Sequence, residues 1–234
     1  MDQQRMSSRI EALGLDASAF ASRIDNTMLD TTISVSEVSE FCRKSAELGF
    51  ASVAVHSGLI PEAKKAVSGT GTKVCAAISF PLGMLSTICK IAEIRDAIAA
   101  GADELDFVSN TNRVKSKDWD YLREEARQIV SACGGRVSKL ILETSILTDD
   151  EKKMLCDIAA ECNVDFIKTS TGFRGGTSYE EIRMLKEHAA SRVKVKATGG
   201  IRTLHDALSM LEAGAERVGT SSGFAMMEEF ESLV

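Results

Sequence analysis

Two lysines and an aspartate stand where an apolar pattern leaves little room for charge. Lys168 closes the run "VDFIK", Lys196 stands in "VKVKATGG", and Asp106 lies between Leu105 and Phe107 in "GADELDFVSN". A lysine is rarely buried unless it is paired or functional. One such lysine is as readily a structural cation or a snorkelling side chain. Two at the same level on adjacent strands are harder to dismiss, because neighbouring strands lie about 4.8 Å apart. Like charges disfavour ionisation, so at least one lysine is expected to have a lowered pKa. A free amine can attack a carbonyl carbon. A carboxylate beside it is both an ion-pair partner and a proton shuttle. Asp25 in "RIDNTML", and Glu143 and Thr144 in "LILETS", are candidates for the polar surroundings and rank below Asp106. Lys194 alternates with Lys196 on the same expected face but lies nearer the strand start, and takes no role.

Three loops follow the last three strand-like runs: "STGFRGGTS", "TGGIRT" and "GTSSGF". Glycines let backbone N–H groups converge on an anion, and a helix start adds its dipole. One Gly-Gly pair is an ordinary turn. Three such loops together point to a phosphate.

The elements that must position these residues recur as a unit, an amphipathic stretch ending near Gly and then a short apolar run. "SVSEVSEFCRKSAELGF" leads into "ASVAVH", "STICKIAEIRDAIAAGA" into "DELDFVSN", "TDDEKKMLCDIAAECN" into "VDFIKTS", and "TLHDALSMLEAGA" into "ERVGTSS". Helical spacing precedes Val/Ile/Leu/Phe-rich segments, with Gly where a helix would stop. Eight strands are predicted, near 23–28, 51–56, 73–79, 103–109, 138–144, 164–170, 193–198 and 216–220. Their spacing of roughly 20 to 35 residues is that of a βα unit, and the lack of alternation fits strands buried on both faces. The predicted fold is an α/β TIM (β/α)8 barrel forming one domain over 1–234, with residues 1–21 as a helical cap over its bottom and "GFAMMEEFESLV" as the last helix. An open doubly wound sheet would carry a Gly-rich loop after its first strand, and "RIDNTMLDTT" has none. In a barrel, functional side chains belong at the C-terminal strand ends, where Lys168 and Lys196 fall.

Composition narrows the function further. The net charge of −6, with basic residues scattered, argues against a nucleic-acid partner. No apolar run reaches the roughly 18 residues of a membrane span, and "MDQQRMSSRIEALGLD" lacks the apolar core of a secretory signal. A cytoplasmic location is therefore expected. Cys42, Cys75, Cys89, Cys133, Cys156 and Cys162 form no CxxC pair and are read as reduced thiols, mostly in the core. His56, His188 and His205 lie far apart, so no metal site is expected.

The residues leave three classes open: an enzyme that attacks a carbonyl with a lysine amine, another phosphosugar lyase or isomerase on the same barrel, and a non-catalytic phosphosugar binder. Over nearly its whole length the chain resembles the deoxyribose-phosphate aldolases, class I (Schiff-base) enzymes. The resemblance rests on "IDNTML", "GTKVCAAISFPLG", "GADELDFV", "LILETSILTDDEK", "DFIKTSTGF", "VKATGGIRT" and "AGAERVGTSSG", the last four in this order being highly specific. It implies that Lys168 forms the Schiff base. Lys196 would lower the pKa of Lys168 and assist proton transfer, and Asp106 would complete the relay. Gly172, Gly199, Gly200, Ser221 and Ser222 would contact phosphate, with Asp25 and Thr171 in supporting places. It implies a phosphorylated sugar and aldehydes as partners, no cofactor, and relatives that are often dimers or larger. The chain departs from the pattern at Asn26 (usually His), at His56 and Ser57 in "AVHSGLIP", at Met84 and Leu85 in "PLGMLST", and in a shortened "GFRGG" with Arg174. None of these touches the lysine pair or Asp106.

Overall fold

The structure, a computed structural model, describes residues 3–234. The chain opens with helices α1 (Gln3–Ala12) and α2 (Ala17–Ala21), then strand β1 (Ile24–Thr27). Helix α3 (Val35–Glu47) leads to β2 (Ser52–His56), α4 (Ile60–Ala66) to β3 (Lys73–Ile78), and α5 (Thr87–Ala99) to β4 (Glu104–Val108). The next crossover holds two helices, α6 (Thr111–Lys115) and α7 (Trp119–Cys133), before β5 (Val137–Ile141). Then follow α8 (Asp149–Glu161), β6 (Phe166–Lys168), α9 (Tyr179–Ala189), β7 (Lys194–Thr198), α10 (Leu204–Glu212), β8 (Arg217–Thr220) and α11 (Gly223–Glu231). All eight strands are parallel, and β1 pairs with both β2 and β8, closing the barrel. The predicted TIM barrel is the observed fold.

Local sequence explains where the helices begin. Ser34 and Glu37, Thr148 and Glu151, and Thr203 and Asp206 form reciprocal capping boxes at the starts of α3, α8 and α10. Ser86, Asn110, Asp118 and Ser178 cap α5, α6, α7 and α9 through side-chain oxygens. The strands pack Val, Ile, Leu and Phe into the core and bury Asp25, Glu104, Asp106, Lys139, Lys168 and Lys196, while Lys73 and Lys194 at strand starts stay exposed. At the N-terminal end, Phe20 of α2 stacks on Phe230 of α11, with centroids 4.7 Å apart. Arg9 of α1 pairs with Glu212 of α10 at 2.7 Å. The first two helices thus pack on the last two, on the side where β1 begins. No helix among the described residues is long and apolar enough to cross a membrane.

Register decides what meets inside. Lys168 lies opposite Lys196 across β6 and β7, and Asp106 lies opposite Lys139 across β4 and β5. Period-two alternation turns Glu104 and Asp106, and likewise Lys194, Lys196 and Thr198, to the same side. Depth then separates them. Lys194, at the strand start, is exposed with its ammonium 5.3 Å from the Phe166 ring, whereas Lys196 is fully buried.

Candidate active site

The barrel interior holds one ion-pair network. Lys168 Nζ donates to Asp106 Oδ2 at 3.0 Å, and Lys196 Nζ donates to the same oxygen at 2.9 Å. Lys196 Nζ also lies 2.7 Å from Asp25 Oδ2. A third lysine, Lys139 on β5, donates to Asp106 Oδ1 at 2.8 Å and to Glu104 Oε2 at 2.6 Å. Arg217 on β8 pairs with Asp25 and Glu104. The Cys75 thiol donates to Asp106 Oδ1 at 3.0 Å. Apart from Arg217, every member is buried.

Charge balance singles out Lys168. Four basic side chains, Lys139, Lys168, Lys196 and Arg217, face three carboxylates, Asp25, Glu104 and Asp106. In a low-dielectric interior, surplus charge is expelled by titration rather than tolerated. Lys139 reaches all three carboxylates and Lys196 and Arg217 reach two each, while Lys168 reaches one oxygen that it shares. Burial accordingly pushes the Lys168 amine below the ordinary lysine range. Lys196 pushes the same way, and Asp106 opposes. Burial also works against charge on Lys196, but Asp106 and Asp25 outweigh it and hold that ammonium above the usual range. The same holds more strongly for Lys139, through Asp106, Cys75, Asp25 and Glu104. Burial alone would raise Asp106, yet its three lysines hold it well below the carboxylate range. The sequence suggested that Lys196 is the chief reason for a free amine at Lys168. In the fold burial comes first and the like charge second.

An aromatic cluster closes one side of the amine. The Phe80 ring centroid lies 6.0 Å from Lys168 Nζ, and Phe80 packs edge-on against His56 and Phe173, with centroids 5.9 and 5.4 Å apart. His56 Nε2 is 3.2 Å from the Leu29 carbonyl oxygen.

Above the network, at the C-terminal ends of the strands, a cavity of about 170 Å³ is lined by Thr171, Gly172, Thr198, Gly199, Gly200 and Ser221, with Arg202 on its border. A wider cavity of about 570 Å³ shares Thr27, Thr171, Gly172 and Ser221 and continues to His56 and Phe173. Among the described residues, the backbone N–H groups of Gly199, Gly200 and Ser221 have no hydrogen-bond partner, and the Thr198 hydroxyl is buried without one. Unpaired donors at a cavity wall suit a ligand rich in acceptor oxygens. Gly199 has φ +103°, and a Cβ there would stand 2.8 Å from the Gly175 carbonyl oxygen, so no other residue fits. Gly219 on β8 leaves the space that Lys196 and Thr198 fill. A Cβ there would lie 3.0 Å from Lys196 Cε and 2.6 Å from Thr198 Oγ1.

The fold gathers the sequence candidates unevenly. Lys168, Lys196, Asp106 and Asp25 meet in the network, and Thr171, Gly172, Gly199, Gly200 and Ser221 meet at the cavity. Ser222 does not line it, because its N–H turns to Thr220 Oγ1 at 3.0 Å just before α11. Thr144 faces away and donates to Glu181 on α9 at 2.8 Å. Asn26 is buried beneath α3 and donates to Ser45 Oγ at 2.9 Å. Met84, Leu85 and Arg174 are exposed. Lys139, Arg217, Thr198 and Arg202 were not singled out from sequence. Lys139 alone gave a signal, as a lone charge two residues before Ile141 in an apolar run. Among the described residues no group of His, Cys, Asp and Glu is arranged to hold a metal.

Comparison with known proteins agrees with this geometry. The family model for DeoC/LacD family aldolases matches residues 1–229. The chain is 46% identical over 211 residues to the deoxyribose-phosphate aldolase of Aquifex aeolicus (strain VF5), covering 88% of this chain and 94% of that one. It is 43% identical over 208 residues to that of Dictyoglomus turgidum (strain DSM 6724 / Z-1310), covering 88% and 95%. Among solved structures, the aldolase QR15 superposes with a TM-score of 0.88 at 43% identity, over 91% of this chain and 96% of that one. The deoxyribose phosphate aldolase of Aeropyrum pernix, described as tetrameric, superposes at 0.88 with 30% identity over the full length of both. With a closed barrel, a buried lysine pair on one carboxylate and relatives of this similarity along most of its length, the chain belongs to the DeoC/LacD aldolase family.

Proposed function

We propose that the protein reversibly cleaves 2-deoxy-D-ribose 5-phosphate to D-glyceraldehyde 3-phosphate and acetaldehyde through a Schiff base on Lys168. The observation that carries this is Lys168 itself, a fully buried amine sharing one oxygen of Asp106 with Lys196 in a network one carboxylate short of balance. Free Lys168 Nζ attacks the C1 aldehyde of the open-chain sugar, and the carbinolamine loses water to give an iminium. A base takes the proton of the C3 hydroxyl, and C3 becomes a carbonyl as the C2–C3 bond breaks. The electron pair passes through C2 and C1 to the iminium nitrogen, leaving an enamine. Protonation at C2 and hydrolysis then release acetaldehyde and restore the amine. Asp106 and Lys196, in contact with each other and beside Lys168, are the groups placed to carry these protons.

The other end of the substrate is assigned to the cavity. Unpaired N–H groups of Gly199, Gly200 and Ser221 offer donors to a phosphate, and Arg202, which also lines the cavity, brings a positive charge to its neighbourhood. Thr198, two residues beyond Lys196 and about 7 Å farther along the strand, offers its unpaired hydroxyl to the sugar between the two ends. The same reading takes a cytoplasmic enzyme and a homo-oligomer, which a solution mass measurement tests.

Reductive trapping tests the reaction. Borohydride with acetaldehyde should leave an ethyl group on Lys168, located by peptide mass spectrometry, and Lys168→Ala should lose both the adduct and cleavage. Full cleavage activity in Lys168→Ala rules the mechanism out.

A further inference from the structure

Glu143 is a buried carboxylate that the lysine network does not use. It follows β5 at φ +64° and ψ +57°, a conformation that disfavours any residue bearing a Cβ, and it is 1% exposed. Among the described residues no lysine, arginine or histidine pairs with it. Its donors are two hydroxyls from the loop after β6: Ser170 Oγ at 2.9 Å on Oε1 and Thr171 Oγ1 at 2.5 Å on Oε2. Each hydroxyl in turn accepts a backbone N–H two residues on, Gly172 N at 2.9 Å on Ser170 Oγ and Phe173 N at 3.2 Å on Thr171 Oγ1. Ser170 Oγ also lies 3.0 Å from the Gly175 carbonyl oxygen, so its single proton has two acceptors to choose between.

Glu143 accepts the Ser170 and Thr171 hydroxyl hydrogens and so leaves the hydroxyl lone pairs to the N–H groups of Gly172 and Phe173. These two residues serve different ends of the site. Thr171 and Gly172 line the phosphate cavity, and Phe173 packs on Phe80 over Lys168. We propose that Glu143 is a positioning residue that sets this loop, so that the enzyme's preference for a phosphorylated over an unphosphorylated sugar depends on it. The inference rests on the phosphate reading above. It assigns Glu143 no contact with substrate.

The test compares 2-deoxyribose 5-phosphate with unphosphorylated 2-deoxyribose in the wild type, Glu143→Ala and Ser170→Ala. Ser170→Ala breaks the link to Gly172 at the price of one oxygen atom and keeps the experiment decisive if Glu143→Ala does not fold. We expect kcat/KM for the phosphorylated sugar to fall about tenfold to a hundredfold, chiefly through KM, as for the loss of a buried hydrogen-bonded group. Activity on 2-deoxyribose should change less than about threefold in Ser170→Ala, whose link runs to Gly172, and in Glu143→Ala, which also frees the Phe173 link, it should fall less than activity on the phosphorylated sugar. An equal loss on both sugars, or no loss on either, overturns the inference and leaves the phosphate reading standing. A wild type that does not prefer the phosphorylated sugar overturns the phosphate reading first, and this inference with it.

Discussion

Replacing Lys139 with Met perturbs the amine of Lys168 without touching it. Lys139 and Lys168 hold opposite oxygens of Asp106, at 2.8 and 3.0 Å, which places their nitrogens roughly 6 Å apart. Two unit charges at that distance interact by about 3 kcal/mol at an effective dielectric constant near 20, and that is about a hundredfold in a protonation equilibrium. Lys139 stays charged, because its carboxylates outweigh burial. Removing it takes a positive charge from the neighbourhood of Lys168 and leaves the bases and acids equal in number. Both effects stabilise the Lys168 ammonium, so its pKa rises and less free amine is present at neutral pH.

The assay is kcat/KM for cleavage against pH, which reports ionisations of the free enzyme, together with the rate of reductive trapping by acetaldehyde. At neutral pH both should fall by up to about a hundredfold, and both should recover towards wild type as the solution is made alkaline. Losing a partner of Asp106 and Glu104 costs about 3–5 kcal/mol of stability, so folding is checked by circular dichroism. The double variant Lys139→Met/Glu104→Gln supplies the control. It removes one cation and one anion, restores the surplus of one base, and should bring the profile back towards acid. A loss of equal size at every pH, or a profile that stays put or moves to acid in the single variant, refutes the charge-balance argument.

Two further outcomes follow from the same geometry. Gly219→Ala puts a Cβ 3.0 Å from Lys196 Cε and 2.6 Å from Thr198 Oγ1. The crowding should cost about 1–3 kcal/mol of stability and displace Lys196 from Asp106, lowering kcat/KM by about tenfold or more; unchanged kinetics would place Lys196 outside the relay. In acid, Asp106 and Asp25 decide stability. Burial would raise both, but their basic partners hold them below the usual range. Their contribution is therefore complete above the unfolded aspartate pKa of about 3.9 and is lost as pH falls towards the lower folded values. Urea midpoints should decline steadily below about pH 4, and a flat profile there would count against an ionised network.

Much of this was legible because charge in an apolar strand is conspicuous. Lys168, Asp106 and Lys196 each interrupt a run of Val, Ile, Leu or Phe, and strand spacing alone puts two of them on neighbouring strands. The strand positions, within a few residues at either end, followed from the same runs and the Gly residues before them. Lys139 was harder to see, because "RVSKLILE" begins with polar residues and reads as a strand entering from solvent. Its burial depends on barrel closure, which brings β5 against β4 and across from β1. Glu143 was visible as an acid after a strand, but its partners lie 27 and 28 residues away, and no local pattern announces them. Lys194 and Lys196 share a face and differ in depth. Alternation gives the face, and only the assembled barrel gives the depth.

The deficit of one carboxylate belongs to the whole barrel rather than to a lysine pair. Asp25, Glu104 and Asp106 come from β1 and β4, and their basic partners come from β5, β6, β7 and β8. Each base except Lys168 is held by at least two acids, so the missing counter-charge falls on the one residue at the C-terminal end of its strand, beside the cavities. A pair isolated from this network would behave differently. Lys196 with a single carboxylate and no Asp25 would compete with Lys168 for the same oxygen, and either could release its proton. Asp25 removes that ambiguity by giving Lys196 a second partner at 2.7 Å. The position of the free amine is therefore set from beneath, by residues that need never touch the substrate.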